Sequence, residues 1–222
     1  AGMSAGAVAD KNGEVAPEMI AYNLERARGE PGMMAIGATT VVPPVPGQPN
    51  ILSFHNDNVI PSMTKLVDAV HGYDTKFGVQ LWNGGGTEMG RHQLISPSGM
   101  SSNVRNARAD DGKGRKTGQP NRALGLDEIP EIIQYFAEGA LRVAECGFDF
   151  VEIHGGHGYL ISNFMTPLFN RRTDKYGGSF ENRTRFILEI VAAVKAAVGD
   201  RIGVGLKFNG DDFLGDDGWT LE

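Results

Sequence analysis

Cysteine is almost absent from this chain of 222 residues, where Cys146 stands alone. A single thiol excludes an internal disulfide, and by itself it cannot ligate an iron–sulfur cluster. A reducing cytoplasm is the compartment that fits such usage. Positive charge is also short, with 21 Lys and Arg against 27 Asp and Glu and a formal net charge of -6. That balance, with no run of Lys and Arg, argues against a nucleic-acid footprint while leaving room for a local basic pocket around a phosphate. No apolar run approaches the ~18 residues that a membrane span needs. No charged segment followed by an apolar one opens the chain as a secretory leader would, although Ala1-Gly2-Met3 begins without an initiator methionine. The rest suits one globular domain with a real core: 41% hydrophobic and 22% charged residues, with no low-complexity tract, linker or repeat beyond a strand–helix unit.

Taken in order, Asp10 to Val15 is turn chemistry, and Pro17 stands at the first turn of a helix, where its missing N–H is not needed. Ile20, Leu24 and Ala27 carry that helix to about Arg28, and the Gly29 to Gly32 turn ends it. A strand follows over Met33 to Thr39, with Gly37-Ala38 at its centre. Pro43, Pro44, Pro46 and Pro49 then make an extended loop. From Pro61, Met63, Leu66, Val67 and Val70 form a second amphipathic helix leading into the strand Phe77 to Trp82, in which Gln80 is the polar exception. Residues 83–125 are rich in Gly, Ser, Arg and Asn without periodicity, and a loop of that length reads as a functional excursion. Regular structure resumes at Leu126-Asp127-Glu128, before a helix with an apolar stripe through Ile129, Ile132, Ile133, Phe136, Ala140 and Val143. Ser179 is an N-cap for a later helix whose Ile187, Ile190, Val191, Val194 and Val198 face the core. Arg201 to Phe208 is a fourth strand, and Gly218-Trp219-Thr220 resembles the approach to a further helix.

Strands that alternate with helices at this spacing predict βα units and a parallel sheet. The pattern does not separate a barrel from an open doubly wound sheet. The remaining strand, Phe148 to Ile153, is closed off by Gly155, Gly156 and Gly158, with His154, His157 and Tyr159 at its end. In a parallel barrel, that end is the face where active sites are built. Two histidines three apart across a Gly-Gly turn can point at one small anion or carbonyl oxygen. The same spacing is open to a zinc site, but no helix aligns the pair and no cysteine lies near it. It is equally open to two structural histidines in a turn.

The stretch from Cys146 to Arg183 carries more than local pattern. Its H-G-G-H-G-Y-L followed by N-R-R-T-D-K-Y-G-G-S-F-E-N-R resembles the old yellow enzyme family of FMN-dependent ene reductases, particularly the branch shared with bacterial 2,4-dienoyl-CoA reductases. The resemblance implies a (β/α)8 TIM barrel, here partial, running from after strand 1 to just after strand 5. It implies one FMN-binding domain over 1–222 in a cytoplasmic protein, with NAD(P)H as reductant, an electron-poor alkene as the small-molecule partner, and room for a homo-oligomer in a full-length form. His154 and His157 are implied to hydrogen-bond the substrate carbonyl, and Tyr159 to supply a proton to the α-carbon. Gln80 takes the position that binds the flavin's pyrimidine edge, Ala38 a position whose backbone touches the ring, and Lys207 a position where relatives carry arginine. Lysine there keeps the charge and loses the planar fork. Asn83-Gly84-Gly85-Gly86 replaces a histidine and an arginine common in relatives. Arg171, Arg172, Asp174, Tyr176, Glu181 and Arg183 belong to the signature, and their expected work is a hydrogen-bonded latch. The same signature also admits an amine dehydrogenase, and a partial barrel admits a non-catalytic fragment unable to retain FMN alone.

Overall fold

The computed structural model describes residues 9–10, 14–43, 52–85, 94–100 and 121–221. Its regular elements run α1 (Pro17–Ala27), β1 (Met33–Thr40), α2 (Ile60–Val70), β2 (Lys76–Trp82), β3 (Ile95–Ser96), β4 (Arg122–Ala123), α3 (Ile129–Glu145), β5 (Phe150–Gly155), α4 (Leu160–Met165), α5 (Phe180–Val198) and β6 (Gly203–Phe208). Four strands form one sheet in the order β1-β2-β5-β6, with β1–β2 and β2–β5 paired in parallel. Successive side chains of a strand alternate between faces. Val79 and Leu81 of β2 therefore share a fully buried face with Val151 and Ile153 of β5, opposite which they pair. Gln80 pairs with Glu152 on the other face, and Gly78 lies opposite Phe150, where a Cβ would overlap the Phe150 ring. The register of β1 against β2 slips between Ile36 and Thr39, so Gly37 and Ala38 form an irregularity of the kind that re-aims backbone groups near sites.

The described residues form two compact units. The first comprises Ala1–Trp82, Gln134–Ile153 and Val191–Leu206. Its core gathers Met63, Leu66, Val67 and Val70 of α2 with Phe54, Phe77 and Phe148, whose rings meet at 5.2 Å (Phe77–Phe148) and 6.4 Å (Phe54–Phe148). Asp149 staples the entry to β5 onto β2, accepting from Lys76 Nζ, the Phe77 N–H and His71 Nε2, each at 2.8 Å. Burial pushes this carboxyl up, but those donors outweigh it and hold it below its ordinary range. Cys146 is buried against α2, and desolvation raises its thiol to about 12, so it stays protonated and inert at neutral pH.

The second unit comprises Asn83–Ile133, His154–Ile190 and Lys207–Glu222. Phe164 packs on Phe186 at 4.3 Å and edge-on to Tyr176 at 6.4 Å. The N–H of Asn182 bonds Ser179 Oγ at 3.4 Å, the cap expected at the start of α5. Two departures from the sequence expectation arise here. A six-residue helix, α4, follows Tyr159 where no helix was expected, because a turn and a half is too short to show periodicity. Within the expected excursion, β3 and β4 pair in parallel through contacts remote in sequence, while 86–93 and 101–120 lie outside the described residues. At the expected helix approach Gly218-Trp219-Thr220, Thr220 bridges antiparallel to Asp211. Residues 11–13 and 44–50, which hold parts of the expected first turn and proline loop, also lie outside. Among the described residues, no helix is long and apolar enough to cross a membrane.

Candidate active site

The buried run of β5 delivers His154 to the strand's end with only 3% exposure. The chain then turns sharply. A Cβ on Gly155 would come within 3.0 Å of the Lys207 carbonyl, and one on Gly156 within 2.8 Å of Asn209 Oδ1, so neither position has room for a side chain. His157 and Gly158 both adopt left-handed backbone, with φ of 61° and 73°. For histidine, that conformation costs on the order of 1–3 kcal/mol, and surrounding contacts must maintain it. The result is a knot of three rings. His154 and His157 meet edge-to-face with centroids 4.9 Å apart, His154 and Tyr159 at 5.0 Å, and His157 and Tyr159 at 6.4 Å. His154 is buried, Tyr159 half-buried and His157 exposed. Of the residues singled out in the sequence, the structure thus brings these three together in the second unit, which also holds Lys207. Ala38 and Gln80 belong to the first unit.

Protonation within the knot follows from one hydrogen bond. The Gly156 N–H donates to His154 Nδ1 at 3.3 Å, which requires a lone pair there and places the proton of a neutral ring on Nε2. Burial is the main reason the ring stays neutral, with the charges of His157 and Lys207 adding to it; together they push His154 down to about 4. His154 is therefore an Nε2–H donor throughout the neutral range.

An unfolded histidine takes up its proton near its ordinary value of 6.5 and folded His154 only at about 4, so between these values the unfolded chain binds more protons. Stability from this group is complete above about pH 6.5 and is lost as pH falls toward about 4, a change of about 3 kcal/mol. Urea unfolding at pH 7 and pH 4.5 should show this loss in the wild type and a markedly smaller one in His154→Leu.

Gln80 is 2% exposed and donates from Nε2 to Glu152 Oε1 at 2.5 Å, while Thr39 Oγ1 donates to the Gln80 carbonyl at 3.1 Å. A carboxylate only accepts, so Glu152 fixes which way the Gln80 amide faces. Ala38 is half-buried at the β1 irregularity. The signature residues around 170–183 make the latch expected of them. Arg172 donates to the carbonyls of Pro97 and Leu124 at 2.6 and 2.5 Å and to Asp174. Tyr176 OH donates to Glu189 at 2.8 Å, and Arg183 reaches the carbonyls of Met165 and Gly178.

Three neighbours of the site escaped the sequence reading: Glu152, Asn209 and Asp212. Glu152 had a signal, since it is a charged residue in an apolar strand, two positions before His154 and hence on its face. Asn209 and Asp212 sit in N-G-D-D, which composition alone reads as a turn. Among the described residues, no group of three or more His, Cys, Asp or Glu gathers as a metal site would require.

Comparison with known proteins places this geometry in context. The model of the NADH:flavin oxidoreductase / NADH oxidase family matches residues 1–222. The chain is 36% identical to an NADH oxidase from Thermoanaerobacter brockii, over 97% of this chain and 32% of that protein. It is 38% identical to 12-oxophytodienoate reductase 7 from Oryza sativa subsp. japonica, over 86% of this chain and 50% of that protein. Among solved structures, Old Yellow Enzyme from Pichia sp. AKU4542 superposes with a TM-score of 0.76 at 29% identity, over 90% of this chain and 53% of that one. The sheet and its helices are accordingly part of a (β/α)8 barrel, and the chain spans about a third to a half of these relatives' lengths.

Proposed function

Because the chain belongs to the NADH:flavin oxidoreductase / NADH oxidase family, we propose that it works as an FMN-dependent ene reductase, taking reducing equivalents from NADH or NADPH and passing hydride to an electron-poor alkene such as an enone or a dienoyl thioester. The observation that carries this reading is the buried, neutral His154, whose Nε2–H is left as a donor beside His157 on one tight turn. Two imidazoles so placed suit a carbonyl oxygen on which negative charge develops, and a donor that needs no reorganisation is worth most where water is excluded.

The residues fit the flavin by the chemistry of their donor set. With one amide hydrogen committed to Glu152, Gln80 keeps its second N–H and its Oε1 for the alternating groups of a pyrimidine edge. Ala38 offers backbone behind a small side chain, and Lys207 a cation. Bound FMN would supply the hydride relay between nicotinamide and alkene. On the substrate side, His154 and His157 hold the carbonyl oxygen and orient the alkene. Tyr159, edge-on to His154, is the group placed to deliver a proton to the α-carbon.

An FMN titration of the chain, followed by flavin fluorescence and the visible absorption band, tests the premise. Saturable binding is expected, weakened about tenfold in Gln80→Leu by the loss of a two-way amide partner, at about 1.4 kcal/mol per factor of ten. Tight binding would set aside the notion of a fragment unable to retain FMN. Absence of any binding up to millimolar FMN would overturn the flavoprotein reading for this chain.

A further inference from the structure

The strained backbone of His157 is held from a segment 52 residues away in sequence. Its N–H donates to Asn209 Oδ1 at 3.0 Å. The amide of Asn209 cannot turn over, because its Nδ2 donates to Asp212 Oδ1 at 2.7 Å and a carboxylate only accepts. Asp212 is itself fixed: its other oxygen takes the Thr166 hydroxyl at 2.6 Å and the Trp219 N–H at 3.1 Å. Trp219 closes the circuit by donating its indole N–H to the Asn209 carbonyl at 2.7 Å, while its ring stacks on Phe180 at 5.5 Å. Gly156 completes the fit, since any Cβ there would press within 2.8 Å of the same Asn209 oxygen that receives the His157 N–H.

We infer that Asn209 is the positioning residue for His157: it holds the left-handed turn that presents the exposed imidazole edge-on to His154, and Asp212 serves as the fixed post that keeps its amide oriented. The inference deepens the proposed reading of the pair as carbonyl donors. A residue that sets the separation and angle of two donors acts on the reaction through them, without touching flavin or alkene. The Tyr159 N–H closes the turn locally onto the Gly156 carbonyl at 3.4 Å, and a loop anchored at Thr166 and Trp219 adds the remote hold under which an exposed histidine keeps φ of 61°.

The test compares the wild-type chain with Asn209→Ala and Asn209→Asp by NMR of isotopically labelled imidazoles. In Asn209→Ala, the ring-to-ring cross-peaks between His154 and His157 should vanish and the His157 N–H should lose at least tenfold in exchange protection. His55 and His71, in the other unit, should be unmoved and report that the fold persists. In Asn209→Asp, the new acid keeps the acceptor for His157. While protonated, it can also donate to Asp212, so the wild-type cross-peaks should return as pH falls and fade as pH rises and two carboxylates face each other. If flavin-dependent reduction of 2-cyclohexen-1-one is measured in parallel, Asn209→Ala should lower kcat about tenfold with KM nearly unchanged. Unaltered His157 resonances in Asn209→Ala, or an Asn209→Asp variant indistinguishable from Asn209→Ala at every pH, would overturn the inference. The imidazole readout needs neither FMN nor alkene, so it can fail while the flavin reading stands, and the reverse.

Discussion

His154→Leu is expected to slow hydride transfer to an enone by about 10²–10³-fold, equivalent to about 2.7–4 kcal/mol, the range for removing one preorganised donor from a developing oxyanion. Leucine keeps the buried volume of the site and removes the Nε2–H, so the loss reports the hydrogen bond and not a cavity. The effect should be confined to one half of the turnover. Stopped-flow reduction of bound flavin by NAD(P)H should change little, while reoxidation by the enone carries the whole deficit. The structure also sets the expected pH behaviour. With its ring held neutral down to about pH 4 by burial and by the charges of His157 and Lys207, His154 gives no inflection in the oxidative half-reaction between pH 5.5 and 8. An equal loss in both half-reactions would point to a damaged flavin site, and no loss in either would remove His154 from the chemistry.

The βα order and the approximate strand positions were legible because they rest on local pattern. Val79, Leu81, Val151 and Ile153 alternate with Gln80 and Glu152, and that period is a strand signal whatever the sheet becomes. Local pattern did not decide between a barrel and an open sheet, because both bury the same apolar face. The resemblance of the Cys146 to Arg183 stretch settled what periodicity left open. At the site, the three rings were visible because they crowd one glycine-rich turn. Asn209 was invisible for the opposite reason: its value lies in a hydrogen bond to a backbone N–H 52 residues earlier. No sequence rule announces that histidine, and not glycine, will take positive φ at 157. The helix α4 and the two-residue pairing of β3 with β4 were hidden likewise, one too short for a period and the other made wholly of remote contacts.

Arg172→Ala should destabilise the protein by about 3–5 kcal/mol, the range for removing one partner of a buried ion pair. The Arg172 side chain is 8% exposed, and its guanidinium joins three stretches of the second unit: it donates to Pro97 O, to Leu124 O and, through Nε and Nη2, to Asp174. Its removal strands two carbonyls and a carboxylate. Burial pushes the Asp174 carboxyl up, while Arg172 and the Tyr176 N–H hold it below its ordinary range, so the variant leaves that charge with its main support gone. At about 2–4 °C per kcal/mol for a chain of this size, the melting temperature should fall by roughly 6–20 °C. Arg172→Lys separates charge from shape. An ammonium can neutralise Asp174, but it cannot reach two carbonyls and both carboxylate oxygens from one planar fork, so it should recover less than half of the loss. Full recovery by lysine would mean that the latch works by charge alone. A loss under about 1 kcal/mol for alanine would mean that the three stretches hold together without it, leaving the signature arginine to be explained by something other than stability.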